Sequence, residues 1–200
     1  MQTKLFNQYS YDVVIRDRSL AQYISFPPLN IPHTFARHAG KPFAKSKVNL
    51  VERLANKLMR GGTGEKLSGK VIRTHGRLQG KKTTVLRAIQ TAFVQVAQRT
   101  NGNPIQAFVR AVENAAPRED TTRLRFGGIS YQIATDVSAS RRLDMALRNI
   151  ALAAILSSFG SKNSLADCLA NEITLASAGD PNSYAIKRRN ETERMAKSAR

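Results

Sequence analysis

Two hundred residues with 42% apolar side chains suffice for one self-supporting core, and the single cysteine, Cys168, excludes an internal disulfide framework and a multi-cysteine zinc site. Lysine and arginine number 32 against 14 acids, and the net charge of +18 calls for a polyanionic partner, either nucleic acid or an anionic membrane surface. The longest unbroken apolar run, Ile150 to Leu156, falls far short of the roughly 20 residues of a bilayer span, and Met1 to Phe6 lacks the basic-then-apolar pattern of a secretory leader. A cytoplasmic protein with no membrane partner is expected.

Residues 1–47 carry seven basic and two acidic side chains, seven aromatics, and Pro27, Pro28, Pro32 and Pro42. Prolines lack the amide donor and block helix interiors. The expectation is an irregular basic N-terminal extension lying on a partner, with a short ordered piece near Val13 to Ile24. A helical domain follows over residues 48–200. Its first helix starts near Val48 on Val51, Leu54, Ala55 and Leu58 and stops at Gly61-Gly62. Residues 61–82 interleave Gly64, Gly69, Gly76 and Gly80 with lysine and arginine and read as a basic loop.

Thr83 or Thr84 is the expected cap of a second helix bearing Leu86, Ile89, Phe93, Val96 and Ala97, closed by Asn101-Gly102. Asn103 caps a third, with Pro104 at its first position, ahead of Ile105, Phe108, Val109 and Val112, and Pro117 ends it. From Thr121 to Val137 the period shortens to two around Gly127-Gly128, which predicts a β-hairpin pairing Phe126 with Ile129, Leu124 with Tyr131, Thr122 with Ile133, Arg125 with Ser130 and Arg123 with Gln132. One face is then apolar and the other basic. The apolar face is expected to pack in part on the bundle or on a neighbouring protein.

A fourth helix from about Ser140 carries Leu143, Leu147, Ile150 and Ala154, widened by Leu152, Ile155 and Leu156, and should be central. The fifth opens on Ser164 with Asp167 three residues on, a capping-box pattern, and buries Leu165, Leu169 and Ile173, with Cys168 a small core residue. The sixth, Ser183 to Arg200, is mostly polar. The fold class is therefore mainly α, a bundle of about six helices with one protruding hairpin.

Charge follows this layout. Residues 143–181 hold two basic and four acidic side chains, whereas residues 182–200 hold six basic and two acidic. The basic excess is peripheral, on the parts free to touch a ligand. The candidate RNA-binding side chains are Arg37, Lys41, Lys45 and Lys47 on the extension, and Lys66, Lys70, Arg73, Arg77, Lys81 and Lys82 on the loop. Arg118, Arg123 and Arg125 at the hairpin, the Arg141-Arg142 pair, and Lys187, Arg188, Arg189, Arg194, Lys197 and Arg200 on the last helix complete the set.

Other chemistries fit poorly. Gly64 to Lys70 has the glycine and lysine spacing of a phosphate-binding loop, but Val71 stands where a serine or threonine must hold magnesium, and a helix precedes it instead of a strand. His33, His38 and His75 are scattered, and their basic surroundings suit phosphate or base contact better than a metal. Glu119 and Asp120 beside Arg118 read as a helix exit, with nothing to split their pKa values for acid/base work. A sequence-specific DNA-binding regulator is the alternative of another class. It would gather its basic residues beside one recognition helix, and here they are spread over many elements.

Asn103-Pro104-Ile105-Gln106, Glu113 through Asp120, Gly127-Gly128-Ile129-Ser130-Tyr131, Asp136-Val137-Ser138, Arg141-Arg142-Leu143 and Ser183 through Lys187 to Ala196 through Arg200 resemble the universal small-subunit ribosomal protein seven family. The resemblance covers roughly Lys47 to Arg200. The stretch Ile31-Pro32-His33 to Lys47 looks like the archaeal and eukaryotic branch, archaeal by preference. Ala139 departs from the family's usual proline and leaves the start of the fourth helix open, and the loop 61–82 is longer than the family leads one to expect.

The resemblance implies a structural constituent of the ribosome that binds the 3′ major (head) domain of small-subunit rRNA and helps nucleate head assembly, without catalytic site or cofactor. It also implies that the hairpin tip, with Arg125, Phe126, Gly127, Gly128, Ile129 and Tyr131, lies near the exit-site tRNA and the mRNA exit channel. Neighbouring ribosomal proteins of the head and platform would be further partners.

Overall fold

The computed structural model describes residues 3–60 and 78–200, and between them only the backbone of Lys66–Leu67 (β1) and Lys70–Val71 (β2). Helix starts follow local capping chemistry. Asn49 accepts the Val51 amide at 3.0 Å and opens α2, Leu50–Leu58. Asn103 does the same for Ile105 at 3.0 Å, with Pro104 in the position that needs no donor, opening α4, Pro104–Ala115. Ser164 and Asp167 exchange side-chain to backbone bonds of 3.2 and 3.1 Å, the capping box of α6, Leu165–Ala178, which Gly179 closes at φ 78°.

One start differs from the sequence expectation. Helix α3, Lys82–Thr100, begins before its threonines: Lys81 is the N-cap without a side-chain bond, so Thr83 and Thr84 lie in the first turn. Its first residue, Lys82, is held from outside the helix by the Glu52 carboxylate. Helix α5 runs from Ala139 to Ser158, starting close to the expected Ser140, and its N-cap Ser138 makes no side-chain bond. Within the stretch expected to be loop, β1 and β2 pair antiparallel, Lys66 with Val71 and Leu67 with Lys70.

The last helix, α7 (Tyr184–Ser198), starts on a buried carboxylate. Ser183 caps it, and Glu172 of α6 accepts the Ser183 hydroxyl at 2.6 Å and the Ala185 amide at 2.9 Å, placing negative charge at the helix N-terminus. Helix α6 packs on α3, α4, α5 and α7, while α5 borders α2, α4, α6 and α7. The two helices share the centre. Leu143, Leu147, Ile150 and Ala154 of α5 and Leu169 and Ile173 of α6 are fully buried, and Phe93 and Phe108 meet at 5.9 Å between ring centroids. Cys168 is buried.

The hairpin has the register that the alternating pattern implies: Phe126 pairs with Ile129, Leu124 with Tyr131 and Thr122 with Ile133, with Arg125 opposite Ser130 and Arg123 opposite Gln132. Both turn residues, Gly127 and Gly128, sit at positive φ (58° and 82°), which side chains bearing a Cβ avoid. The ladder joins β3 (Glu119–Phe126) to β4 (Ile129–Asp136), and β3 begins earlier than the expected Thr121 because Glu119 and Asp136 still pair.

Residues 3–47 lie on the chain's own bundle, and the boundary drawn at 47/48 falls inside one apolar core, which takes in Leu5, Leu20 and Ile24. Tyr9 meets Phe93 edge-on at 6.5 Å. The segment's extended backbone is satisfied by one polar face of α4. Asn103 donates to the Ser10 carbonyl at 3.0 Å, Gln106 bonds both backbone groups of Val14 at 2.8 and 2.9 Å, and Glu113 accepts the amides of Arg16 and Asp17 at 2.7 and 3.0 Å. The ordered piece expected near Val13 to Ile24 contains one turn of helix, α1 (Arg18–Ala21), capped by Asp17 and packed on α5.

Among the described residues no helix is long and apolar enough to cross a membrane.

Candidate nucleic-acid interface

Alternation along β3 and β4 sets Leu124, Phe126, Ile129, Tyr131 and Ile133 on one face and Arg123 and Arg125 on the other, and both faces are exposed. Phe126 is 84% exposed, and none of these apolar side chains joins the core. The expected partial packing of this face on the bundle is therefore absent: β3 and β4 meet the bundle chiefly through α7, while the side chains flanking the turn, Phe126 and Ile129, stay exposed. Phe126→Ser should accordingly change the melting free energy by no more than about 0.5 kcal/mol, which calorimetry would check.

The base of the hairpin gathers cations from distant parts of the sequence. Arg141, at the start of α5, pairs with Asp120 at 3.1 Å, and Arg200, beyond α7, pairs with Glu119. The Arg118 backbone ties to both neighbours, its amide donating to Glu193 at 3.1 Å and its carbonyl accepting from Val137 at 3.0 Å. The acids read from the sequence as a helix exit are the counter-charges that bring Arg141 and Arg200 together here. Arg118, Arg141 and Arg200 remain exposed.

A second basic cluster forms around Asp144 of α5. Lys45 pairs with it, Arg53 donates to it at 3.0 Å and Lys57 lies 3.8 Å away. Burial, and the charges of Lys45, Arg60 and Arg148, pull the Lys57 pKa below the usual lysine value although Asp144 raises it. So many cations crowded around one carboxylate leave a local positive excess. The sequence reading named Lys45 but missed Lys57, Arg60 and Arg148. Their signal was present: Arg53, Lys57 and Arg60 follow one another at four and three residues, one stripe of α2 and its exit, and Asp144 and Arg148 are four apart.

Burial alone would raise the Asp144 carboxyl, but hydrogen bonds from Lys45 and Arg53 outweigh it and hold its pKa below the ordinary 3.8. Glu52 and Asp17 are lowered in the same way against their burial, Glu52 by Lys82 and Thr34, Asp17 by Ser19 and Arg142. A carboxyl whose folded pKa lies below its unfolded one contributes stability that is complete above the unfolded value and disappears as pH falls through the folded value. The melting temperature should therefore begin to decline near pH 5, and more steeply below about 4. A pH series of thermal melts on the protein and its Asp144→Asn variant would test this, the variant declining less.

Of the remaining expected contacts, Arg37, Lys41, Lys47, Lys81, Lys187, Arg194 and Lys197 are exposed and free to meet a ligand. Arg188 lies over the Tyr184 ring and pairs with Glu191 at 2.8 Å, while Arg189 donates to the Asn114 carbonyl at 2.6 Å. Two expected contacts are engaged inside the fold instead. Arg142 is nearly buried, bonded to Asp17 at 2.9 Å and to the Pro117 carbonyl at 3.1 Å, and Lys82 faces the buried Glu52. Arg73, Arg77 and His75, and the side chains of Lys66 and Lys70, lie outside the described residues, as do Gly64, Glu65, Ser68 and Gly69 of the phosphate-loop-like stretch.

A family model described as ribosomal protein S7p/S5e matches residues 26–200. The small ribosomal subunit protein uS7 of Methanococcus aeolicus is 43% identical over 202 aligned positions, covering the whole of both chains. That of Methanothermobacter thermautotrophicus is 43% identical over 196 positions, covering 98% of each. With exposed basic clusters on a neutral helical core and similarity along its whole length, the chain belongs to the ribosomal protein S7p/S5e family, in its archaeal branch.

Proposed function

We propose that the chain binds the 3′ major domain of small-subunit rRNA, helps nucleate assembly of the head, and holds its hairpin near the exit-site tRNA and the mRNA exit channel. Family membership carries a structural role in the cytoplasmic ribosome and no enzymatic one. The finer reading is supported by the placement of charge: the hairpin base, the Asp144 cluster and the outer face of α7 form a discontinuous basic rim around an apolar core.

In this reading Arg118, Arg123, Arg125, Arg141, Arg194, Lys197 and Arg200 meet phosphates at the hairpin and α7, and Lys45 and Lys57 do so beside Asp144. Phosphate contacts fix orientation on the RNA without reading its sequence. The exposed apolar face of Leu124, Phe126, Ile129 and Tyr131 is then available to nucleotides or to neighbouring proteins of the head and platform.

Filter binding to a 3′-domain transcript over a salt series tests the reading. If about six phosphates are neutralised, log affinity should fall against log salt with a slope of about −4 on single strands and about −5 on duplex, a loss between about 50 and 200 mM of roughly 300-fold on single strands and roughly a thousandfold on duplex. A flat response would sink it. Duplex DNA at matched salt should compete poorly, and equal competition would favour the DNA-regulator alternative.

A further inference from the structure

Between Ile31 and Val48 the chain makes two 3-10 turns, Arg37–Gly40 and Ala44–Lys47, and encloses a cleft of about 510 Å³ lined by His33, Phe35, Arg37, His38, Lys41 and Lys47. That volume is in the range that takes a small organic group. The backbone here is unusual: Phe35, Ala36 and Phe43 all sit in the left-handed region at φ 50°, 58° and 58° without being glycine. Such strain persists only where surrounding structure enforces it, and it concentrates at binding sites. It does not serve burial, since the Phe35 ring is 72% exposed.

What holds Phe35 is His33. The rings lie 4.1 Å apart at 39°, and the Phe35 amide donates to His33 Nδ1 at 3.0 Å. That bond makes Nδ1 an acceptor, so Nε2 of His33 carries a proton to offer. His38 has the opposite arrangement. The Thr34 hydroxyl gives its proton to Glu52 at 2.8 Å, so at 3.2 Å from His38 Nδ1 it can only accept, and Nε2 of neutral His38 is left an acceptor. The buried Glu52, paired with Lys82, fixes this geometry from beneath.

The cleft thus offers an exposed aromatic face, one hydrogen-bond donor and one acceptor. Arg37, Lys41 and Lys47 are exposed and have no acidic partner among the described residues. A stacking plane, an edge that reads donor and acceptor, and cations for a phosphate are the requirements of a single unstacked nucleotide. An acidic peptide would use the cations but not the plane and edge.

We propose that this cleft receives one extruded nucleotide of the bound RNA, its base stacked on Phe35 and hydrogen-bonded to the two imidazoles, its phosphates held by Arg37, Lys41 and Lys47. The inference rests on the RNA-binding reading above.

The test is filter binding of the full chain and its variants to a 3′-domain transcript, with mass-spectrometric mapping of ultraviolet crosslinks. Phe35→Ala should weaken binding by roughly 5- to 150-fold with the salt slope unchanged, because stacking is lost and no phosphate contact is. Phe35→Trp should restore affinity, and Phe43→Ala, at a ring 93% exposed and outside the cleft, should leave it unaltered. A nucleotide crosslinked within residues 33–38 would support the proposal independently of any variant's folding.

Phe35→Ala binding within twofold of the unmodified chain, with no such crosslink, overturns the cleft while leaving steep salt dependence and RNA binding intact. If Phe35→Ala also ceases to capture a neighbouring ribosomal protein, the cleft is a protein site and the proposal is equally overturned. A flat salt response of the unmodified chain overturns both readings.

Discussion

Replacing Arg142 with alanine should lower the unfolding free energy by about 3–5 kcal/mol, because it leaves Asp17 without its charge partner in a largely buried setting and the Pro117 carbonyl without its donor. The guanidinium joins three parts of the chain: α5 to which it belongs, the turn ahead of the hairpin, and the N-terminal segment through Asp17 and Ser19. Urea unfolding at constant m would show the loss as a lower midpoint, and proteolysis should attack residues 3–47 before the bundle. Arg141→Ala is the contrast. Its side chain is two-thirds exposed, so stability should stay within about 0.5 kcal/mol of wild type while RNA affinity and its salt slope fall. An Arg142→Ala midpoint equal to that of the unmodified protein would remove the reason for excluding this residue from the RNA face.

Glu52→Ala should cost a similar amount, about 3–5 kcal/mol, for a related reason. One fully buried oxygen, Oε1, accepts the Thr34 amide at 2.9 Å, the Thr34 hydroxyl at 2.8 Å and the Lys82 ammonium, and all three lose their acceptor together. The other oxygen, Oε2, is buried without a partner, so the site carries an unmet desolvation cost even when intact. Removing both charges should therefore be milder than removing one. Glu52→Leu combined with Lys82→Met is expected to recover most of the loss, and a double-mutant cycle on denaturant midpoints measures the coupling. Additive losses would show that Lys82 draws nothing from Glu52.

The two cases share a cause. Arginines 141 and 142 are adjacent in sequence and were read together as phosphate contacts, yet helical rotation points them about 100° apart, one to solvent and one into the junction of α1, α5 and the turn at Pro117. Lys82 belonged by sequence to a basic stretch, but the first turn of α3 lies over α2, where Glu52 stands inside the apolar stripe. Charge density along a sequence counts cations without distinguishing those that neutralise a buried acid from those that remain for a ligand.

The apolar periodicity of the helices from α2 to α7 and the caps at Asn103 and Ser164 depend on residues a few positions apart, and the two-glycine turn sets the hairpin's register, so local pattern determines them. The sequence by itself therefore determined a mainly helical bundle, a two-glycine hairpin with one apolar and one basic face, and a basic periphery. Tertiary structure alone decided that residues 3–47 close over the bundle's own α4, that Asp144 collects Lys45, Arg53 and Lys57, and that Arg118, Arg141 and Arg200 meet at the foot of a hairpin whose apolar face stays in solvent. The physical reason is range. An ion pair such as Arg142 with Asp17 joins positions 125 residues apart, and no local pattern tells a side chain which distant charge the packed helices will bring to it.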